Sequence, residues 1–169
     1  MKILIFGSVA SGKTTLAYKL STQLDIPYYE GDCIAWGFPG EKRYKRTYEE
    51  QFEIIQQINE KDDWIVEGTY RESQKDLYVY ADKIIFLDTP LLVRMYRIVN
   101  RFIKQQLGIE KCHYHSNLNM LKHMFIWTRE FEDNRKQHRQ RLLVYQDKLI
   151  WIHNPKELIG KMKLFDKLK

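Results

Sequence analysis

Lys2-Ile-Leu-Ile-Phe6-Gly7-Ser-Val-Ala-Ser-Gly12-Lys13-Thr14-Thr15-Leu16 decides how the rest of this chain is read. Lys2–Phe6 is a short apolar run that reads as a buried strand. From Thr14 to Leu24, Leu16, Ala17, Leu20 and Leu24 recur at helical spacing. Between strand and helix, Gly7–Thr14 fits G-x-x-x-x-G-K-[ST], the Walker A phosphate-binding pattern. Gly7 and Gly12 are expected to take backbone conformations that a Cβ would forbid. The loop amides of Gly7, Ser8, Val9, Ala10, Ser11 and Gly12 then form an anion-binding nest, and the helix N-terminus adds its positive end. Lys13 is expected to reach the β- and γ-phosphates of a nucleotide. Thr14 is expected to ligate Mg²⁺ through its hydroxyl, with Thr15 completing the phosphate-binding set.

The 169 residues suit one domain with a real core. No apolar run approaches the roughly 18 residues that span a membrane. The N-terminus carries the strand and motif rather than a signal peptide. Cys33 and Cys112 have no metal-ligand spacing and suggest no disulfide framework, which fits a cytoplasmic setting. The formal net charge of +6 is unevenly placed. Leu91–Asp147 holds eleven Lys/Arg and five Asp/Glu, and the remainder is neutral. That bias fits a nucleic-acid surface, a clamp over nucleotide phosphates, or a solvated helical face.

Four further strands are expected at Pro27–Glu30, Trp64–Glu67, Lys83–Leu87 and Lys148–His153. Their nearly continuous apolar runs suit parallel strands buried on both faces. Thr47-Tyr-Glu-Glu50 has the pattern of a capping box and opens a helix burying Phe52, Ile55 and Ile58. Leu91–Leu107 reads as another helix. Asn154-Pro155 reads as N-cap and first residue of a last helix burying Leu158, Ile159, Met162 and Phe165. The expected fold class is α/β: a three-layer sandwich of a five-stranded parallel sheet with helices on both faces. Ligands then bind at the carboxyl ends of the strands. Ala35–Arg46 reads as a loop over the substrate. Gly108–Gln140 reads as a basic, mostly helical lid inserted into a core of about 1–107 and 141–169.

Three carboxylates stand at expected strand ends. Asp32 is the candidate for orienting or deprotonating an acceptor, and Glu67 for a second-shell contact to Mg²⁺. Asp88 reads as a cap for the helix from Leu91. Arg94, Arg97, Arg101 and Lys104 share one helical stripe, which calls for a facing anion such as a triphosphate. Arg97 and Arg101 are the chosen catalytic arginines. Arg129, Arg135, Lys136, Arg139 and Arg141 form a second basic group, of which Arg135 is assigned to the nucleotide. Cys112-His-Tyr-His115 with His123 matches no standard zinc pattern and reads as an exposed loop.

Several pieces taken together resemble the adenylate/shikimate-kinase branch of P-loop proteins. They resemble most closely the bacterial DNA topology modulation (FlaR-type) proteins. The pieces are Gly7–Thr14, Gly31-Asp32 with Trp36, Trp64–Tyr70, Phe86–Pro90 and Tyr96–Arg101. Glu67-Gly-Thr-Tyr-Arg71 is similar to the Asp-Gly-Phe-Pro-Arg segment of adenylate kinases, with Glu for Asp and without Phe-Pro. The resemblance implies ATP and Mg²⁺ as cofactors and Arg71 as a ligand of the acceptor phosphate. It also puts Asp32 and Trp36 on the acceptor side, with arginines from the helix and lid at the phosphates.

Two functions follow as expectations. One is transfer of the ATP γ-phosphoryl group to a nucleoside, nucleotide or similar metabolite. The other is an ATP-dependent nucleic-acid-binding regulator of DNA topology without such activity. GTPases usually carry D-x-x-G and N-K-x-D, and this chain has neither. The expected partner is a small phosphate acceptor, with no membrane, in a monomer or homodimer.

Overall fold

The computed structural model describes residues 1–37, 43–109 and 117–161. The main sheet comprises β1 (Lys2–Gly7), β2 (Tyr28–Glu30), β5 (Trp64–Gly68), β6 (Lys83–Leu87) and β7 (Leu149–Ile152). Their order is β2-β5-β1-β6-β7, and every pairing is parallel. Apolar runs stand at all five expected places because parallel strands covered on both faces have no water-facing side.

The two faces separate by residue parity. Leu4, Phe6, Val66, Ile84 and Phe86 pack on one side against Ile55, Leu77 and Tyr78. Ile3, Ile5, Ile65, Ile85 and Leu87 pack on the other against Leu16, Leu20 and Leu158. The helices that cover the sheet include α1 (Lys13–Leu24), α3 (Tyr48–Asn59) and α8 (Pro155–Lys161). Asn154 caps α8 as expected, its Oδ1 accepting from Lys156 N at 3.0 Å. Met162 and Phe165 lie outside the described residues.

The capping box at α3 is complete: Thr47 Oγ1 accepts from Glu50 N at 3.2 Å, and Glu50 Oε2 accepts from Thr47 N at 2.7 Å. The buried face of α3 differs from expectation. Phe52 is exposed and Gln51 is buried instead. Gln51 is satisfied there by Arg46 O, which accepts from its Nε2 at 3.0 Å, and by Ser73 Oγ, which donates to its Oε1 at 2.8 Å. Periodicity detects apolar positions but not a polar side chain whose bonds are closed by distant residues.

The stretch read as a loop at 35–46 contains a short antiparallel pair, β3 (Trp36–Gly37) with β4 (Tyr44–Lys45); residues 38–42 lie outside the described set. Two short helices, α2 (Gly31–Ala35) and α4 (Asp76–Tyr80), follow strand ends and are too short to show periodicity. α5 (Leu91–Gln106) matches the expected helix. The basic segment beyond it is helical, as α6 (Leu118–Asp133) and α7 (Arg135–Leu143). Among the described residues no helix is long and apolar enough to cross a membrane.

Candidate functional site

The register aligns Gly7 with Leu87, and Glu30 with Glu67, so the carboxyl ends of four strands share one edge. β1 lies between β5 and β6 at that edge, where the connections diverge and a crevice forms. The loop 7–12 fills it and leads into α1.

Gly12 has φ +102°, so its left-handed backbone is the one the motif calls for. Gly7 serves differently. Its φ is not positive; a Cβ there would come within 2.7 Å of Leu87 O. The second left-handed residue of the loop is Ala10, at φ +56°. The sequence pattern gives no sign of this, because x positions of the motif carry no residue preference.

Lys13 is buried and its Nζ donates to Ser8 O at 2.8 Å. Among the described residues no carboxylate closes an ion pair on it. Burial holds its ammonium below the ordinary lysine pKa; Glu67 and Asp32 pull the value back up, and Arg71 and Arg94 push it further down. Ser11 Oγ in the same loop is buried without a hydrogen-bond partner among the described residues. A buried cation and an orphaned hydroxyl in one loop fit an anion such as a nucleotide phosphate. Thr14 Oγ1 donates to Glu67 Oε1 at 2.6 Å. This hydroxyl–carboxylate pair is chemically suited to a hard divalent cation such as Mg²⁺.

Asp32 lies in the first turn of α2, and its carboxylate forms an ion pair with Arg71, which follows β5. Gly31, the first residue of α2, lies close against the end of β5, where a Cβ on it would come within 3.1 Å of Glu67 O. Gln74 secures that contact, donating from Nε2 to Gly31 O at 2.9 Å. Trp36 is half-buried on β3, with the Arg43 guanidinium 4.1 Å from its ring centroid.

The arginine stripe on α5 does not behave as one unit. Arg94 is 1 % exposed and lies beneath the loop. Its Nη1 donates to Ser8 Oγ at 2.7 Å, its Nε donates to Thr89 O at 2.9 Å, and its Nη2 pairs with Glu132 of α6. Arg97 Nη1 donates to Ser11 O at 2.7 Å. Arg101 sits half-buried one turn further on, and Lys104 is exposed. Helical spacing cannot separate an inward edge from an outward edge of an 80°-wide stripe, and only packing does.

Asp88 is corrected. The N-cap of α5 is Pro90, without a side-chain cap, and Asp88 is buried. Its Oδ2 accepts from Arg135 Nη2 at 2.6 Å and from Trp151 Nε1 at 3.2 Å. Arg135 also reaches Glu132 at 3.2 Å. The arginine assigned to the nucleotide is therefore held by two carboxylates in this structure. Glu132 escaped the sequence reading, although it bridges Arg94 and Arg135; its one local signal is its position three residues before Arg135. Thr89 was also missed, and its Oγ1 donates to Ser11 O at 2.9 Å. The Cys112–His115 cluster lies outside the described residues, and His123 is exposed and stacked on Trp127. Among the described residues no cluster of three or more His, Cys, Asp or Glu is arranged to hold a metal.

No protein-family model matches the chain. No curated protein matches it either. Solved structures do. The structure is similar to shikimate kinase from Aquifex aeolicus vf5, at TM-score 0.52 and 20 % identity over 99 % of this chain and 96 % of that one. It is similar to deoxyadenosine kinase from M. mycoides with bound dATP, at TM-score 0.54 and 19 % identity over 99 % of both chains. It is also similar to an uncharacterized protein from Eubacterium ventriosum ATCC 27560, at TM-score 0.53 and 14 % identity over 100 % of this chain and 99 % of that one. At these identities the likeness concerns architecture, and the architecture is that of the P-loop kinases: a five-stranded parallel sheet, flanked by helices, with the loop after its central strand.

Proposed function

We propose that the chain is an ATP-dependent kinase that transfers the γ-phosphoryl group to a small hydroxylated acceptor, such as a nucleoside, nucleotide or similar metabolite. The observation that carries this reading is the buried Lys13 within the loop, on which no ion pair closes among the described residues, at the sheet edge that also presents the Asp32–Arg71 pair. Phosphoryl transfer depends mainly on positioning and charge stabilisation, and this edge offers both.

In this reading the loop 7–12, Thr14 and Thr15 hold the phosphates and Lys13 offsets their charge. Thr14 ligates Mg²⁺ and Glu67 supports it from behind, through the Thr14 hydroxyl; the bound ion would neutralise charge on the phosphate oxygens. Asp32 orients the acceptor hydroxyl and takes its proton, with Arg71 and Trp36 lining the acceptor side. Arg97 and Arg101 stabilise the transferring group. The segment 108–140 is the lid, and Arg135 exchanges its carboxylate partners for the nucleotide as the lid closes.

The regulator reading draws on the basic segment, but Arg94, Arg97 and Arg135 turn their guanidinium groups to internal acceptors. A coupled ADP-release assay over nucleosides, nucleoside monophosphates and hydroxylated carboxylic acids tests the kinase reading. Absence of transfer across that panel, with ATP bound tightly, overturns it. DNA binding that responds to ATP and falls steeply with salt favours the regulator instead.

A further inference from the structure

α5 is amphipathic in the inverted sense. Its inward face carries Arg94, Arg97 and Ile98. Its outward face carries Leu92, Tyr96, Val99 and Ile103, all exposed, with Leu92 at 79 % and Tyr96 at 69 %. These four recur at steps of four, three and four, the spacing of a helix seam that packs against another helix. Leu107 and Leu118 extend the surface, Leu118 sharing an open cleft with Phe102 and Gln106 where α5 meets α6.

From their exposures, these six side chains present roughly 700 Å² to water, above the largest patch usual on a monomer and close to the about 800 Å² that each partner buries in a standard interface. No charged residue interrupts the seam between Leu92 and Ile103 on its outward side. We infer that this face of α5 pairs with the same face of a second copy, in a two-fold symmetric homodimer.

A second copy fits better than a lipid surface. A helix lying on a membrane needs basic side chains flanking its apolar face. Here Arg94 and Arg97 point the other way, into the loop and Glu132, which leaves Lys104 as the one exposed basic residue of α5. A two-fold axis, by contrast, supplies an identical apolar seam with no further charge requirement. The partner helix then braces the element whose opposite face contacts Ser8 and Ser11.

Sedimentation equilibrium of the full chain at micromolar to submillimolar concentration tests this. Twice the chain mass is expected for the wild type. Tyr96→Glu with Ile103→Glu is expected to weaken dimerisation roughly tenfold or more, while leaving the far-UV circular dichroism and ATP-induced thermal shift in place. Leu92→Lys with Val99→Lys repeats the test should the first pair fail to fold. Because the readout is mass, it stands or falls independently of kinase activity. A wild-type chain that stays monomeric throughout, or a dimer unaffected by either pair, overturns the inference. So does a monomeric wild type that sediments with phosphatidylglycerol vesicles.

Discussion

Arg94 Nη1 donates to Ser8 Oγ at 2.7 Å, tying the loop between β1 and α1 to α5. The same guanidinium pairs with Glu132, so loop, α5 and α6 share one buried cation. Arg94→Ala removes one of the two arginines on Glu132 and leaves Ser8 without its donor. Because Glu132 keeps Arg135 and some contact with water, we expect a stability loss of about 2 kcal/mol, below that for a buried charge left uncompensated. Urea unfolding measures it. Arg94→Lys should recover only part, since one ammonium cannot reach Ser8, Thr89 and Glu132 with a planar fork.

Lys13 makes the ligand-free protein sensitive to pH. Burial lowers its pKa from the ordinary 10.5, so between the folded-state value and 10.5 the unfolded chain binds more protons than the folded one. The cost of the buried ammonium is therefore fully present below the folded-state pKa, and stability from this group rises as pH climbs toward 10.5. Lys13→Met should stabilise the ligand-free protein near neutral pH, remove that alkaline gain and abolish ATP-induced stabilisation. Unfolding of both proteins from neutral pH to about 10, with and without ATP, checks all three outcomes.

Glu67→Gln keeps an acceptor for Thr14 Oγ1 but removes a charge from the proposed cation site. The fold should persist. The Mg²⁺ concentration required for half-maximal ATP stabilisation should rise about 10–100-fold. A thermal-shift titration of Mg²⁺ at fixed ATP reads this, and an unchanged midpoint removes Glu67 from the site.

Asp32→Asn breaks the ion pair with Arg71 while preserving shape. Turnover on whichever acceptor the panel identifies should fall about 10²–10⁴-fold, with ATP binding retained. Equal turnover in the variant would refute the role given to Asp32.

Thr47→Ala tests local structure alone. It removes one half of the capping box on α3 and should cost about 1 kcal/mol in chemical unfolding, without altering nucleotide binding.

The strand, loop and helix at residues 2–24 were legible because their determinants are consecutive. A run of apolar residues, two glycines, Lys-Thr and a 3.6-residue period act within one turn of each other. The capping box at Thr47 and the cap at Asn154 were legible for the same reason. The central strands β1, β5 and β6 followed from apolar runs with no polar alternation, while the edge strands β2 and β7 are half-buried.

What only the tertiary structure decided are the pairings between elements. Which arginine of α5 enters the loop, why Asp88 meets Arg135 rather than capping a helix, and how Asp32 reaches Arg71 all follow from the strand order β2-β5-β1-β6-β7 and the helices packed against it. The chain alone established that the glycine-bearing loop 7–12 sits at a strand end. Packing decided which charges surround it, because an ion pair forms between side chains that the fold brings together, and neighbours in space need not be neighbours in sequence.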